Sequence, residues 1–132
     1  MAITYTERRR LDAMALVIEL FARLDRGDIT AAMECYADDA IFMGATGRAA
    51  IEDVVRAGLA PNASKRTRHV IGNLRASMID NENVRVEYTA VTYTLDGAGP
   101  FAPRSVLDQC QEMRVTPDGN LVIARHEIPD YR

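Results

Sequence analysis

Few side chains in this sequence are suited to proton chemistry. Only two histidines occur, His69 and His126, and both lie in segments with the alternation of a β-strand. His69 alternates with Ile71 and Asn73, a face of mixed apolar and polar character that suits a pocket wall. Asp25 lies where its carboxylate would extend the apolar stripe of the first predicted helix. An imidazole or a carboxylate in such surroundings can act as a general acid or base.

Each of these residues also has a purely structural interpretation. A strand histidine can simply hydrogen-bond a neighbour, and aspartate is favoured in turns and at the ends of helices. For His69 and Asp25 the residues themselves leave both interpretations open. His126, in the sequence Arg125–Glu127, is interpreted as a surface or interface residue rather than a catalytic one.

Other kinds of chemistry find little support. Two histidines without a Cys–His spacing motif do not predict a metal site. No Gly-rich phosphate loop precedes a helix and no Gly-x-Ser-x-Gly motif occurs, so neither nucleotide binding nor serine hydrolase chemistry is predicted. The two cysteines, Cys35 and Cys110, are too few for a disulfide framework and are interpreted as buried thiols. We therefore expect no metal and no cofactor.

The composition is that of one ordinary globular domain over residues 1–132. Hydrophobic residues make up 48% and charged residues 27%, which argues against disorder. A net charge of −3, with one short basic run at Arg8–Arg10, argues against general nucleic-acid binding. No apolar run approaches the roughly 18 residues of a membrane span, and the charges near the start argue against a signal peptide. We expect a cytoplasmic protein with no membrane partner.

Three helices are predicted in the first half of the chain. Helix one is predicted over Thr6–Leu24, after a capping box at Thr4. Helix two is predicted over Ile29–Tyr36, and helix three from a Thr46 cap to Pro61. The apolar stripes of helices one and three comprise Leu11, Met14, Ile18 and Phe21, and Ile51, Val54, Val55 and Leu59.

The second half of the chain has the residue pattern of strands. Four long strands are predicted over residues 66–79, 84–95, 104–116 and 121–128, after a short one at 40–43. Short turns join the four long strands, which predicts antiparallel pairing. Three helices followed by such a meander form an α+β fold. Helices over the concave face of a strongly bent sheet enclose a cavity.

Tyr88 lies on the second long strand, and the register of that strand decides what lines the cavity. One register turns Tyr88 and Thr92 inward and supplies a phenol hydroxyl as a polar contact for a ligand. The other turns Arg85 and its alternate neighbours inward, a set less suited to a cavity, so we favour the first. On the third long strand, Asp108 and Glu112 either reach the pocket rim or form cross-strand ion pairs outside it.

Five segments of the sequence together resemble a known family. They are Leu24–Asp28, Tyr36–Phe42, Gly47–Ile51, Thr67–Asn73 and a final hairpin with Asp118–Gly119. Over nearly the whole chain they resemble the nuclear-transport-factor-2-like (NTF2-like), or SnoaL-like, α+β cone. The resemblance implies three N-terminal helices packed on a strongly bent antiparallel sheet that encloses a pocket. This fold hosts dehydratases, isomerases, cyclases, hydrolases and non-catalytic subunits, so the fold does not decide the function.

Within this superfamily, the sequence is similar to scytalone dehydratase. Arg68–Gly72 resembles the strand that carries a catalytic histidine, here His69, and Asp25 falls where the aspartate paired with that histidine lies. The resemblance implies that Asp25 orients His69, which acts as general base and acid. Three other polar groups of the dehydratase, a second histidine, a water-holding tyrosine and a pocket asparagine, are replaced here by Thr94, Met43 and Cys110.

Two other relatives imply different functions. Ketosteroid isomerase has acids at positions that fall near Gly44 and Gln111, neither of which can do that chemistry. The small β subunits of aromatic-ring dioxygenases share the fold and are non-catalytic partners of a larger subunit. A ligand-binding or assembly module is therefore the alternative to an enzyme.

The combined prediction is a SnoaL-like small-molecule-binding protein that acts as a cofactor-free lyase (dehydratase) or isomerase. Asp25 and His69 are the predicted catalytic pair, and the substrate is a hydrophobic, cyclic, hydroxy-ketone-like molecule. The pocket is expected to hold a few hundred cubic ångströms. The resemblance implies a homodimer or trimer, and the mixed sheet face at Arg85–Tyr93 suits contact with a second subunit. The predicted pocket lining comprises Met14, Ile18, Phe21, Met33, Phe42, Met43, Val55, Ile71, Asn73, Tyr88 and Cys110.

Overall fold

The protein has the α+β fold that the sequence predicts, with helices packed on one curved, unclosed sheet. The computed structural model describes residues 1–129. Its helices are α1 (Tyr5–Asp25), α2 (Ile29–Met33) and α3 (Arg48–Leu59). Its strands are β1 (Tyr36–Phe42), β2 (Ala45–Thr46), β3 (Arg66–Met78), β4 (Asn83–Leu95), β5 (Ala102–Val115) and β6 (Leu121–Glu127).

The six strands pair in the order β2-β1-β6-β5-β4-β3. All neighbours are antiparallel except β1 and β6, which pair in parallel from Tyr36 and Ile123 to Phe42 and His126. An antiparallel sheet was predicted because the turns between the long strands are short. The parallel pair arises because β1 and β6 are separated by most of the chain, which leaves room for the crossover that parallel strands need.

Helix α1 covers the outer edge of β3, which within residues 1–129 pairs with β4 alone. Asp25 Oδ2 accepts the backbone N–H of His69 at 2.9 Å, and Arg10 Nε donates to the carbonyl oxygen of Ala76 at 2.8 Å. Both backbone groups belong to the unpaired edge of the strand. Side chains of α1 therefore take the place of a missing strand there and hold the helix on the sheet.

The buried face of α1 is rotated from the predicted stripe. Val17 and Leu20 are 0% and 1% exposed, whereas Leu11 and Ile18 are 51% and 48% exposed. The predicted helix is correct, but its buried face is turned about the helix axis from the predicted stripe. The sequence alone does not select the buried face, because α1 carries more apolar residues than one face requires. Ala13 is also buried, and its small side chain allows the helix to approach the sheet closely. The prediction that Ile18 lines a pocket is therefore wrong.

The start of α1 is fixed by the predicted capping box. Thr4 Oγ1 accepts the Glu7 N–H at 3.1 Å, and Glu7 Oε2 accepts the Thr4 N–H at 2.8 Å. These two bonds satisfy donors that the first helical turn leaves without partners. At its other end, α1 extends to Asp25, one residue beyond the predicted end at Leu24. Asp25 is therefore part of the helix.

The two shorter helices begin or end at other residues than predicted. Helix α2 ends at Met33, and Tyr36 belongs to β1, because the Cys35 carbonyl already accepts the Ile123 N–H from β6 at 2.8 Å. Helix α3 begins after Gly47, whose φ of 91° is unfavourable for any residue with a side chain. Thr46 is not its cap, since that residue pairs with β1 as part of β2.

The four long strands agree with the prediction to within two residues at each end. Strand β3 contains a bulge, where its register with β4 shifts between Gly72 and Arg75. Asn73 lies in this bulge with a φ of 53° and is exposed. Because of the extra residue, Ile71 faces inward before the bulge and Leu74 faces inward after it. The bulge turns Asn73 away from the concave side, and Asn73 instead lines a cavity of about 520 Å³ together with Tyr88 and Cys110.

Stability measurements can test which face of α1 is buried. Leu20→Ala should lower the free energy of unfolding by about 3 kcal/mol, because it leaves a cavity in the core. Ile18→Ala is the matched control and should change it by less than about 0.5 kcal/mol. Urea denaturation followed by circular dichroism measures both values. A larger loss for the Ile18 variant would contradict the buried face described above.

Candidate active site

Asp25 and His69 form a hydrogen-bonded pair between the end of α1 and the edge of β3. Asp25 Oδ1 lies 2.6 Å from His69 Nδ1, and Asp25 Oδ2 lies 2.9 Å from the backbone nitrogen of the same residue. The side chains are 14% and 11% exposed, so the pair is shielded but still reached by solvent. Both carboxylate oxygens are thus used to hold a single histidine.

This contact determines which ring nitrogen of His69 is available for chemistry. The imidazole donates its Nδ1–H to the carboxylate, so the neutral ring carries its lone pair on Nε2. No side chain or backbone group of residues 1–129 hydrogen-bonds Nε2. Phe21 packs on the ring at a centroid distance of 4.9 Å and limits its rotation. The arrangement leaves Nε2 as the ring nitrogen that is open to a further hydrogen bond.

A cleft of about 610 Å³ opens beside Asp25. It lies between the C-terminal ends of α1 and α3 and the first residues of β3. Leu24, Ile29 and Leu59 supply apolar surface, and Lys65 is among the cationic residues that also line it. None of the eleven predicted pocket residues, all within the described part of the chain, lines this cleft.

The side of the sheet where the pocket was predicted is largely filled by the hydrophobic core. Tyr88 faces inward there, as the favoured register predicts, and is 2% exposed. Three further predicted pocket residues belong to the buried core: Phe21, Met33 and Phe42. Another three are partly buried and packed against it: Met14, Val55 and Ile71.

Two other predicted pocket residues lie elsewhere. Met43 is 42% exposed in the tight turn after β1, where its φ is 48°. Cys110 is on the outer face of the sheet, because Gln109 pairs directly with the inward-facing Tyr88 and successive residues of β5 alternate. Neither residue faces the concave side, but both line cavities elsewhere: Cys110 lines one of about 520 Å³ together with Tyr88, and Met43 lines one of about 410 Å³ beside His126.

The outer face of the sheet carries the acids that the sequence left unassigned. Glu112 Oε1 lies 3.6 Å from Arg85 Nη1, and Asp108 Oδ1 accepts the hydroxyl of Thr89 at 2.7 Å. Glu112 thus forms the cross-strand ion pair of the second interpretation, whereas Asp108 makes a cross-strand hydrogen bond and also lines a cavity of about 520 Å³.

A chain of buried hydrogen bonds, which sequence reasoning missed, crosses the interior. Tyr36 Oη lies 2.7 Å from His126 Nδ1, and His126 Nε2 lies 2.7 Å from Gln109 Oε1. Tyr88 donates to the same Gln109 oxygen at 2.9 Å and accepts from Gln111 Nε2 at 2.7 Å. These contacts are satisfied together when Tyr36 donates to His126 and the imidazole carries its proton on Nε2.

His126 is therefore a buried neutral histidine and not the surface residue that was predicted. It is 4% exposed, and burial lowers its pKa to about 3. Burial likewise raises the pKa of Tyr36 and of Tyr88 above the ordinary value for tyrosine. The sequence did carry a signal: Arg125 and Glu127 flank the histidine and form an ion pair outside, so alternation places His126 inside.

The sequence predicts neither a metal site nor a membrane-spanning helix, and the structure bears on both. Within residues 1–129, no group of three or more His, Cys, Asp or Glu side chains is placed to hold a metal ion. No helix of that part of the chain is long and apolar enough to cross a membrane.

Comparison with known proteins agrees with this architecture. The sequence pattern of the SnoaL-like domain matches residues 17–126, a span that includes both Asp25 and His69. The chain belongs to the SnoaL-like domain family. No curated protein sequence matches this SnoaL-like chain.

Several solved structures share the fold of this SnoaL-like protein. Aln2 from a Streptomyces species is 18% identical, with a TM-score of 0.83 over 89% of this chain and 87% of that one. A Catenulispora acidiphila protein in complex with S-DNPA is 16% identical, with a TM-score of 0.77 over 89% and 90%. The β subunit of benzoate 1,2-dioxygenase from Burkholderia mallei is 18% identical, with a TM-score of 0.69 over 89% and 87%. At these identities, the likeness shows the fold alone.

The buried His126 makes stability depend on pH. Its pKa is about 3 in the folded protein and about 6.5 when unfolded, so the unfolded chain binds more protons below pH 6.5. Stability should fall as the pH drops from 6.5 toward 3. Between pH 7 and pH 5 this residue should lower the free energy of unfolding by about 2 kcal/mol, and His126→Gln should remove that contribution.

A direct measurement does not depend on how well the His126 variant folds. The His69→Gln variant retains one histidine, so the imidazole proton resonances in its NMR spectrum belong to His126. Those resonances should not titrate between pH 8 and pH 5 while the protein stays folded. A titration with an ordinary midpoint near 6.5 would contradict the neutral, buried state of His126.

Proposed function

We propose that this SnoaL-like protein is a cytoplasmic, cofactor-free acid–base enzyme, a dehydratase or an isomerase, with His69 as general base and acid. The observation that carries the proposal is the double contact of Asp25, which lines an open cleft, with the ring and the backbone of His69. A carboxylate used in this way fixes the tautomer and the orientation of the imidazole. The apolar surface of the cleft supports a hydrophobic, cyclic substrate.

The proposed dehydration uses His69 Nε2 twice. The nitrogen first takes a proton from the carbon next to a ketone carbonyl, and the resulting imidazolium is stabilised by Asp25. The bond from the neighbouring carbon to its hydroxyl then breaks, and the departing oxygen takes the proton from Nε2 to leave as water. In an isomerase the same proton would return to a different carbon. Neither route consumes an oxidant, a reductant or a metal ion.

A cyclic β-hydroxy ketone is a suitable first probe. Loss of water from 3-hydroxy-1-tetralone gives an enone that tautomerises to 1-naphthol, whose absorbance reports the rate. His69→Gln should lower kcat/KM by about 10²–10⁴-fold, because that is the usual contribution of a positioned general base. Asp25→Asn should lower it by a smaller factor, since the imidazole remains but loses its orientation.

Asp28→Asn is the matched control for this experiment. Asp28 caps α2 through the Ala31 N–H at 3.1 Å, and asparagine caps helices equally well. This variant should keep the wild-type rate. Exchange of the α-protons of 2-tetralone in D₂O, followed by NMR, tests the isomerase route with the same variants. An undiminished rate in His69→Gln would exclude the proposed role, and no rate above free imidazole with either ketone would favour the alternative below.

A second candidate is a non-catalytic assembly module like a dioxygenase β subunit. The dioxygenase subunit named above shares the fold, and the interior of this protein is filled by side chains rather than by a closed pocket. In that case His69→Gln would leave assembly intact. A gene for a large oxygenase subunit beside this one, and co-purification of the two products, would favour this candidate.

The outer face of the sheet supports a homodimer or trimer. Val70, Val91 and Val106 pair directly across β3, β4 and β5, and the first and last are 55% and 66% exposed. Pairs of oppositely charged side chains surround this row. In one of them, Arg75 Nη2 lies 3.3 Å from Glu87 Oε2. A mixed apolar and charged face of this kind suits contact with a second copy of the chain.

Sedimentation velocity tests the oligomer directly. The wild-type protein should sediment as a dimer or trimer of the 14.6 kDa chain, and Val106→Glu should shift it toward the monomer, because a charge would be buried in the interface. Ala57→Glu, on the exposed side of α3, is the control and should leave the oligomer unchanged. A monomeric wild-type protein would refute this part of the proposal.

A further inference from the structure

We propose that the cleft beside Asp25 binds the carboxylate of a hydrophobic organic acid, and that Lys65 is the counter-ion for that carboxylate. The inference names the substrate class of the proposed enzyme. It rests on the proposed function only for the reaction that the bound acid undergoes. Binding itself is independent of the acid–base chemistry, so the two are tested separately.

The lining of the cleft combines an apolar surface with an excess of positive charge. Leu24, Ile29 and Leu59 provide the apolar part. Within residues 1–129, Asp25 is the only carboxylate that lines the cleft, and both of its oxygens are hydrogen-bonded to His69. The cationic residues that line the cleft are Arg26, Arg56, Lys65, Arg66 and Arg68. Because the whole chain has a net charge of −3, this concentration of cations is a local feature.

Two of the arginines have other partners and a structural explanation. Arg56 Nε lies 2.9 Å from Glu52 Oε2, and Arg26 Nη2 lies 3.8 Å from Glu19 Oε1. Both arginines are at the C-terminal ends of helices, where the helix dipole favours positive charge. Their presence at the cleft therefore does not by itself require a ligand.

Two more arginines are engaged with an aromatic ring. The guanidinium carbons of Arg66 and Arg68 lie 5.6 Å and 6.0 Å from the centroid of the Phe101 ring. These are cation–π distances, and they account for both side chains without a bound anion.

Lys65 differs from these four residues. It is the only lysine in the sequence, it is half-buried, and within residues 1–129 it makes no ion pair. Its backbone N–H donates to the Asn62 carbonyl at 2.9 Å, which fixes its position in the turn before β3. A partly buried lysine without a carboxylate partner among these residues leaves its charge available to an anion, and apolar surroundings strengthen that attraction.

The helix C-termini at the cleft disfavour anions, and they disfavour a phosphate dianion more strongly than a carboxylate monoanion. Phosphate sites commonly use the N-terminus of a helix, where free N–H groups and the dipole favour a dianion. Here α1 and α3 both present their C-terminal ends to the cleft, at Asp25 and Leu59. A single ammonium group beside apolar surface matches a monoanion with a hydrophobic body.

Isothermal titration calorimetry with two isosteric probes tests the inference. The wild-type protein should bind 2-naphthoate about tenfold more tightly than 2-naphthamide, as expected when one hydrogen bond to a charged group is worth about 1.4 kcal/mol. Lys65→Gln should remove this preference while leaving 2-naphthamide binding unchanged. Arg8→Gln removes the same charge from an exposed position on α1 and should keep the preference.

Chemical labelling of the single lysine gives a second readout that does not depend on a variant. N-acetoxysuccinimide should acetylate Lys65 several-fold more slowly in the presence of saturating 2-naphthoate, measured by peptide mass spectrometry. His69→Gln should show the same protection and the same affinity, so loss of turnover in that variant leaves this inference intact.

Three results would overturn the proposal. They are equal affinity of the wild-type protein for the two probes, retention of the preference in Lys65→Gln, and protection of Lys65 by inorganic phosphate as strong as that by 2-naphthoate. The last result would identify a simple anion site with no role for the apolar surface.

Discussion

The unpaired edge of β3 is the constraint on which the site depends. An edge strand leaves backbone donors and acceptors without partners, and such groups need either water or a side chain. Arg10 and Asp25, near opposite ends of α1, bond two of these groups at Ala76 and His69. The second oxygen of Asp25 then holds the imidazole of His69. One carboxylate thus closes the strand edge, anchors the helix and sets the tautomer of the histidine.

The two histidines show how environment decides what one residue type can do. His69 is shielded but not sealed, has a carboxylate on one nitrogen, and has its other nitrogen free of bonds to the described residues. His126 is sealed among neutral groups, and burial lowers its pKa so far that it stays uncharged in ordinary buffers. The first has the geometry that the proposed acid–base role needs, whereas the second is a link in the hydrogen-bonded core.

The location of the cleft follows from how the interior is filled. Aromatic rings and the buried chain of tyrosine, glutamine and histidine side chains occupy the concave side of the sheet. The cleft that Asp25 lines is found instead where α1 and α3 end and β3 begins. Apolar surface, the aspartate and Lys65 meet at this point because three segments that are distant in sequence converge there.

The sequence by itself determined the features that depend on neighbouring residues. It specified the capping box at Thr4, the long strands, the inward register of Tyr88, and, through family resemblance, the positions of Asp25 and His69. Tertiary packing alone decided which face of α1 is buried, where the β3 bulge reverses alternation, how deeply His126 lies, and where the cleft opens. Periodicity repeats within one element and can be counted along the chain. The rotation of a helix, a shift of register and the space between elements depend on contacts between distant segments, which no local pattern contains.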